Sequence, residues 1–126
     1  MTKIIAPSMR DTLYAGPAGN LSVAVTGVTL KAAVTDTEVE LIELPIGLNL
    51  IGLRVVTSGL GTGVKVDVKI GKKILATELD VSSKSAVTMA IEPVYLVDNT
   101  TLELVIKGGA ATGDISVMPE YISVGF

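Results

Sequence analysis

Apolar and polar residues alternate with a period of two along most of the chain, and that period predicts strands rather than helices. Leu21, Val23 and Val25 alternate with Ser22, Ala24 and Thr26; after Gly27, Val28 and Leu30 alternate with Thr29 and Lys31. Val39 and Leu41 face one way and Glu38 and Glu40 the other, and then the phase slips, with Ile42 and Leu44 apolar around Glu43. A slip of one residue predicts a β-bulge near Ile42, because the extra residue turns the following side chains to the opposite face. Leu44-Pro45-Ile46-Gly47 ends that strand, and residues 48–57 predict a longer one with Ile51, Leu53 and Val55 in phase. The clearest alternation is Val64, Val66, Val68 and Ile70 against Lys65, Asp67 and Lys69, followed by a Gly71-Lys72-Lys73 turn and a hairpin partner over 74–79. Residues 81–91 predict a weaker strand that breaks at Glu92-Pro93, with a short strand over 94–97. Leu102, Leu104 and Ile106 alternate with Thr101, Glu103 and Lys107. A small-residue turn over 108–114 leads into a last strand over 115–126, where Pro119 is expected on an edge or at a bulge.

No stretch of ten or more residues keeps a helical period. Strands recurring every 8 to 12 residues predict an all-β fold: a single β-sandwich or jelly roll of about eight short antiparallel strands. Residues 1–20 hold Gly16, Gly19, Pro7 and Pro17 and no sustained alternation. They read as an extended N-terminal arm or irregular lead-in, with the sandwich domain over 21–126.

Composition sharpens this by exclusion. Val, Ile and Thr make up 41 of 126 residues, the β-branched excess expected of pleated sheet. With no Cys the chain has no disulfide, thiolate nucleophile or zinc–thiolate site, and with no His it has no imidazole base or ligand. Tyr14, Tyr95, Tyr121 and Phe126 are too few and scattered for a sugar-stacking strip. The net charge is −3 with only two arginines, which gives no concentrated cationic face for nucleic acid; Lys69, Lys72 and Lys73 read as a solvated hairpin turn. The apolar run over 44–53 is broken by Pro45, Gly47, Asn49 and Gly52 and is too short to span a bilayer, so no membrane partner is expected. Residues 1–7 carry one cation and an apolar stretch interrupted by Pro7, so no secretory leader is expected there.

Three patterns bear on chemistry. Gly59-Leu60-Gly61-Thr62-Gly63 has the glycine density of a phosphate loop, but a β-alternation follows it where a helix N-terminus would be needed, so it reads as a flexible hairpin or inter-sheet loop. Glu38 and Glu40 share a strand face, with Glu43 nearby; they are the best acid–base candidates left, and read more simply as solubility residues. Asp98-Asn99-Thr100 and Gly113-Asp114 offer oxygen ligands without the spacing of a calcium loop. No catalytic residue, metal or cofactor is expected.

Over residues 43–124 the order of features resembles small β-sandwich structural proteins of tailed-phage virions. The matching series is Leu44-Pro45-Ile46-Gly47, Arg54-Val55-Val56-Thr57, Leu60-Gly61-Thr62-Gly63 and the valine strand over 64–70. It continues with Thr101-Leu102-Glu103-Leu104-Val105-Ile106, Gly109-Ala110-Ala111-Thr112-Gly113 and a closing strand that runs to Tyr121. The resemblance covers about two-thirds of the chain, and the ordered series carries it rather than any one motif. It implies a non-enzymatic decoration or cement protein of the phage head, made in the host bacterial cytoplasm and located in the virion. Its partners would be the major capsid protein or other virion proteins and further copies of itself, as a dimer or trimer. The loops at 58–63 and 108–114 and the arm are the contact candidates, with Arg10, Tyr14, Leu60, Thr62 and Thr112 singled out. The alternatives are a tail- or fibre-associated adaptor and a host-surface or carbohydrate-binding module.

Overall fold

A computed structural model describes residues 3–13 and 20–123. Ten strands are found among them: β1 (Lys3–Ile5), β2 (Leu21–Val23), β3 (Val28–Ala33), β4 (Glu38–Leu44), β5 (Leu48–Thr57), β6 (Lys65–Ile70), β7 (Lys73–Asp80), β8 (Ser85–Tyr95), β9 (Thr100–Lys107) and β10 (Ala111–Ser123). The only helical element described is a short 3-10 turn, Pro7–Arg10. One sheet has the order β1-β4-β9-β6-β7 and the other β2-β10-β5-β8, with β3 also paired to β10. Strands β3 to β10 therefore interleave as β4-β9-β6-β7 against β3-β10-β5-β8, which is the winding of an eight-stranded jelly roll. The eight strands of that roll are antiparallel, as the alternation predicts.

Alternation sets which side chains meet between the sheets. Val39, Ile42, Val66, Val68, Leu102, Leu104 and Ile106 face inward from one sheet; Leu30, Leu50, Leu53, Val55, Ile115, Val117 and Tyr121 face them from the other. Full burial of one such leucine stabilises the fold by about 1.5–3 kcal/mol relative to leaving it in water. The bulge expected near Ile42 is present: the β4–β9 register shifts between Glu40 and Ile42, which lets Leu41, Ile42 and Leu44 all be buried.

Two prolines behave differently. Pro119 lies in β10, an interior strand, next to the point where the register with β5 shifts at Tyr121. Its carbonyl accepts a hydrogen bond from Ala24 N–H, so its missing donor faces the gap between β2 and β3, where the ladder is interrupted. Pro93 does not end its strand as expected. β8 runs through it because residues 91–93 bulge opposite Ile51, and β8 is an edge strand, where an absent N–H leaves no ladder bond unmade.

Residues 3–13 lie against the sandwich. β1 pairs in parallel with β4, Ala6 N–H bonds to Glu40 O, and the hydroxyl of buried Ser8 donates to Leu41 O. Ala6 and Leu13 are buried with the core. Parallel pairing is open to this segment because the long connection from β1 to β4 leaves room to cross over. Among the described residues no helix is long and apolar enough to cross a membrane.

Candidate functional site

Because consecutive strands of the roll alternate in direction, its connections gather at two ends. Residues 34–37, 58–64, 81–84 and 108–110 meet at one of them, tied by backbone bonds from Asp36 N–H to Ile106 O, Leu60 N–H to Val81 O and Thr112 N–H to Leu60 O. Ser58 N–H and the Thr57 hydroxyl both donate to Asp114 O, and Asp114 N–H donates to the Ser58 hydroxyl. The opposite end is held by Leu96 N–H to Leu48 O and by Ile46 N–H to the side chain of Asn99.

The glycine-rich segments bring the first end this close. Gly113 has φ of +139°, and a Cβ placed on it would lie 2.6 Å from Gly59 O; one on Gly108 would collide with Gly63 O. Any side chain at either position would push the two loops apart. The segment 58–63 runs from β5 in one sheet to β6 in the other, so of the two expectations, hairpin or inter-sheet loop, it is the second. Its first three amides are used within the protein, Ser58 N–H by Asp114 O, Gly59 N–H by the Thr57 hydroxyl and Leu60 N–H by Val81 O, so these do not converge on an anion.

Leu60, Thr62 and Thr112 are brought together at this end. Thr62 and Thr112 are exposed, and the Thr112 hydroxyl accepts from Ala32 N–H. Leu60 is only 1% exposed, so in this fold its side chain is a core residue beneath the loops rather than a surface contact. Gly59 and Gly61, both at positive φ, turn it inward. Arg10 is exposed at the end of the 3-10 turn, on the flank of the sandwich beside Glu43 and Pro45, away from the other candidates. Tyr14 lies outside the described residues.

The carboxylates singled out as acid–base candidates sit on the outer face of the β4-β9-β6 sheet, each with a lysine. Glu38 pairs with Lys69 at 2.9 Å and Glu40 with Lys3 at 3.2 Å. Glu103, which alternation alone did not single out, faces Glu40 across the β4–β9 ladder and lies 3.7 Å from Lys69. The Lys69 hydrogen bond holds the Glu38 carboxyl below its usual range, whereas burial pushes Glu103 above it. Carboxylates displaced in opposite directions divide acid and base roles in some active sites. Here Lys69 occupies the space between the two, where a reacting atom would have to sit, so the cluster reads as a cross-strand ion network. The two oxygen-rich turns do not combine either: Asn99 is at one end of the sandwich and Asp114 at the other.

No family model and no curated protein matches the sequence. Solved structures do match the fold. A chain in the capsid of Ralstonia phage GP4 superposes with a TM-score of 0.67 at 15% identity, over 99% of this chain and 99% of its own length. A chain of the capsid asymmetric unit of cyanophage Pam1 gives 0.71 at 18% identity, over 89% of this chain and 94% of its own. One from the acid-stable capsid of Helicobacter pylori bacteriophage KHP30 gives 0.54 at 16% identity, over 86% and 92%. At these identities the likeness is one of fold: a jelly roll shared over nearly the whole of each chain.

Proposed function

We propose that this chain is a non-enzymatic structural protein of a phage virion, a head decoration or cement subunit that binds the capsid surface. The observation that carries this reading is the two-way coverage of the matched capsid chains. They are spanned almost end to end by a chain of 126 residues, so each is itself a small protein of one sandwich. A small single-sandwich subunit suits an attachment to a shell better than the shell lattice itself, which has to tile a large closed surface. Capsid neighbours also favour the head over the tail, and the four aromatics give little support to a carbohydrate module.

The tied loop end is the proposed seat on the capsid. Thr62 and Thr112 stand exposed on a backbone already fixed by hydrogen bonds, so docking there would cost little ordering entropy. Arg10 on the flank is the second proposed contact, as a long cation able to reach a carboxylate on a neighbouring subunit. The test is mass spectrometry of gradient-purified particles, followed by re-addition of the protein to particles stripped of it. The expected result is stoichiometric presence and saturable rebinding, with Thr62→Glu weakening rebinding at least about tenfold. Absence from purified particles overturns the assignment; unchanged rebinding by both Thr62→Glu and Arg10→Glu overturns the proposed seat.

A further inference from the structure

The sandwich has four sheet edges among its described strands, and three are guarded. β1 and β2 are three residues long and β1 carries Lys3, while β3, which shares one side of β10 with β2, carries Lys31, has Ala32 at positive φ and pairs through a register shift. β7 carries Lys73, Glu78 and Asp80, has Glu78 at positive φ and pairs with β6 through two register shifts. Short length, charge and irregularity are the devices by which sheet edges avoid pairing with other chains.

β8 has none of these over most of its length. It spans 11 residues and, among the described residues, is hydrogen-bonded to β5 on one side only. The seven residues Ser85-Ala86-Val87-Thr88-Met89-Ala90-Ile91 contain no charge, proline or glycine. Alternate residues of an edge strand direct N–H and C=O groups away from the sheet, so β8 presents a row of groups ready to pair. Its inward phase is incompletely covered as well: Val87, opposite buried Val55, is 46% exposed, and Met89 is half-buried.

We propose that β8 pairs antiparallel with β8 of a second copy, about a two-fold axis through Thr88, joining two sandwiches through one continuous sheet. The sequence of the edge is self-complementary about that residue. Thr88 faces Thr88 of the second copy, Val87 faces Met89, Ala86 faces Ala90, and Ser85 faces Ile91. Threonine opposite threonine and an apolar pair opposite its reverse are favourable cross-strand neighbours, and no like charges meet. Lys84, just before β8, and Glu92, in its 91–93 bulge, are exposed at the two ends of the uncharged stretch, so each end of the interface brings Lys84 of one copy near Glu92 of the other, giving two symmetric Lys84–Glu92 pairs that bracket it. Sliding the strand by two residues in either direction sets both charges against uncharged side chains. The charges therefore select both the partner, a second copy of this chain, and the register. This inference rests on the edge alone and stands whether or not the protein decorates a capsid.

The test uses the full chain in solution. Because the native sequence has no cysteine, Thr88→Cys introduces a single thiol, which on mild oxidation should link two copies, since residue 88 faces itself. Ala86→Cys and Ala90→Cys should each remain unlinked alone and form a disulfide when mixed. Sedimentation of the unmodified protein should show a dimer. Lys84→Glu and Glu92→Lys should each raise its dissociation constant about tenfold, because two pairs become two repulsions, and the double variant should return it close to the original value. Recovery in the double variant cannot arise from misfolding. A wild-type monomer at the highest soluble concentration overturns the proposal. So does linkage of Ala86→Cys alone as fast as Thr88→Cys, or a double variant weaker than either single.

Discussion

The outer face of the β1-β4-β9-β6 sheet carries Lys3, Glu38, Glu40, Glu43, Lys65, Asp67, Lys69, Glu103 and Lys107, whereas the middle of the opposite outer face carries, among the described residues, only Arg54 and Glu120. Around that one pair stand Val23, Val56, Ala86, Thr88, Ala90, Met118 and Ile122. Both sheets bury the same kind of aliphatic inner face, so the core does not account for the contrast. A charged sheet face is well solvated and costly to cover, because covering it strips water from ions; a charge-poor face loses little when covered. The charge-poor face runs without interruption to β8, the strand with an unguarded edge. Pairing two copies through β8 would double that face into one broad surface and leave the charged sheets of both copies on the opposite side of the pair.

The largest expected effects concern what the two sheets share. Leu53→Ala and Leu104→Ala, each on a residue with no exposed surface, should destabilise the protein by about 2–5 kcal/mol in chemical denaturation. Arg54→Ala, whose side chain is half exposed beside Leu53, should cost less than about 1 kcal/mol. Equal losses at Leu53 and Arg54 would mean that the outer face is covered by something other than solvent in the isolated protein. Next in size is Gly52→Val. A Cβ there would lie 3.1 Å from Met89 O and within contact of the Glu120 carboxylate, which crosses Gly52 to reach Arg54 at 2.8 Å. The substitution should break the ion pair of the charge-poor face, strain the β5–β8 pairing and cost about 1–3 kcal/mol.

Much of this contrast can be read from period-two alternation, and the places where reading stops are physically specific. The alternation over residues 48–57 matches the bounds of β5, one slipped phase gives the bulge after Glu40, and the shared face of Glu38 and Glu40 is the outer one. Alternation reports parity within a strand but not which strands become neighbours, so Glu103 and Lys69 joined the cluster only once β9 lay between β4 and β6. β1 was not legible because three residues show no period, and its parallel pairing depends on β4 already being in place. Glu92-Pro93 predicts a break because the rule for proline concerns interior strands, and the sequence does not say that β8 lies on an edge. Leu60, set among glycines, has the context of an exposed loop; the two positive-φ glycines beside it reverse its direction.

The charged face supplies the next test. Lys69→Ala removes the cation shared by Glu38 and Glu103 and should destabilise by up to about 1 kcal/mol at low ionic strength, with the loss shrinking in molar salt. Salt should leave the loss from Leu104→Ala nearly unchanged. A salt-independent Lys69→Ala effect would make packing of the lysine stem, not charge, its cause.

The smallest effects separate the two carboxylates beside Lys69, and they differ in sign. Glu38 has its folded pKa below its unfolded value, chiefly through the Lys69 hydrogen bond. Its contribution to stability is therefore present above the ordinary glutamate range and is lost as pH falls through the lowered folded value. Glu103 has its folded pKa above the unfolded value because burial disfavours its charge. Its ionisation opposes folding at neutral pH, and that penalty disappears as pH falls through the raised folded value toward the ordinary one. Glu38→Gln should thus lower Tm at neutral pH, whereas Glu103→Gln should raise it. On acidification the Glu103→Gln difference should vanish first and the Glu38→Gln difference only at lower pH. Scanning calorimetry of both variants beside the wild type, from neutral to strongly acid pH, reads the two signs and their order. If both substitutions lowered Tm at neutral pH, the attraction of Lys69 would outweigh burial at Glu103, and the charged face would be a network of mutually satisfied pairs with no strained member.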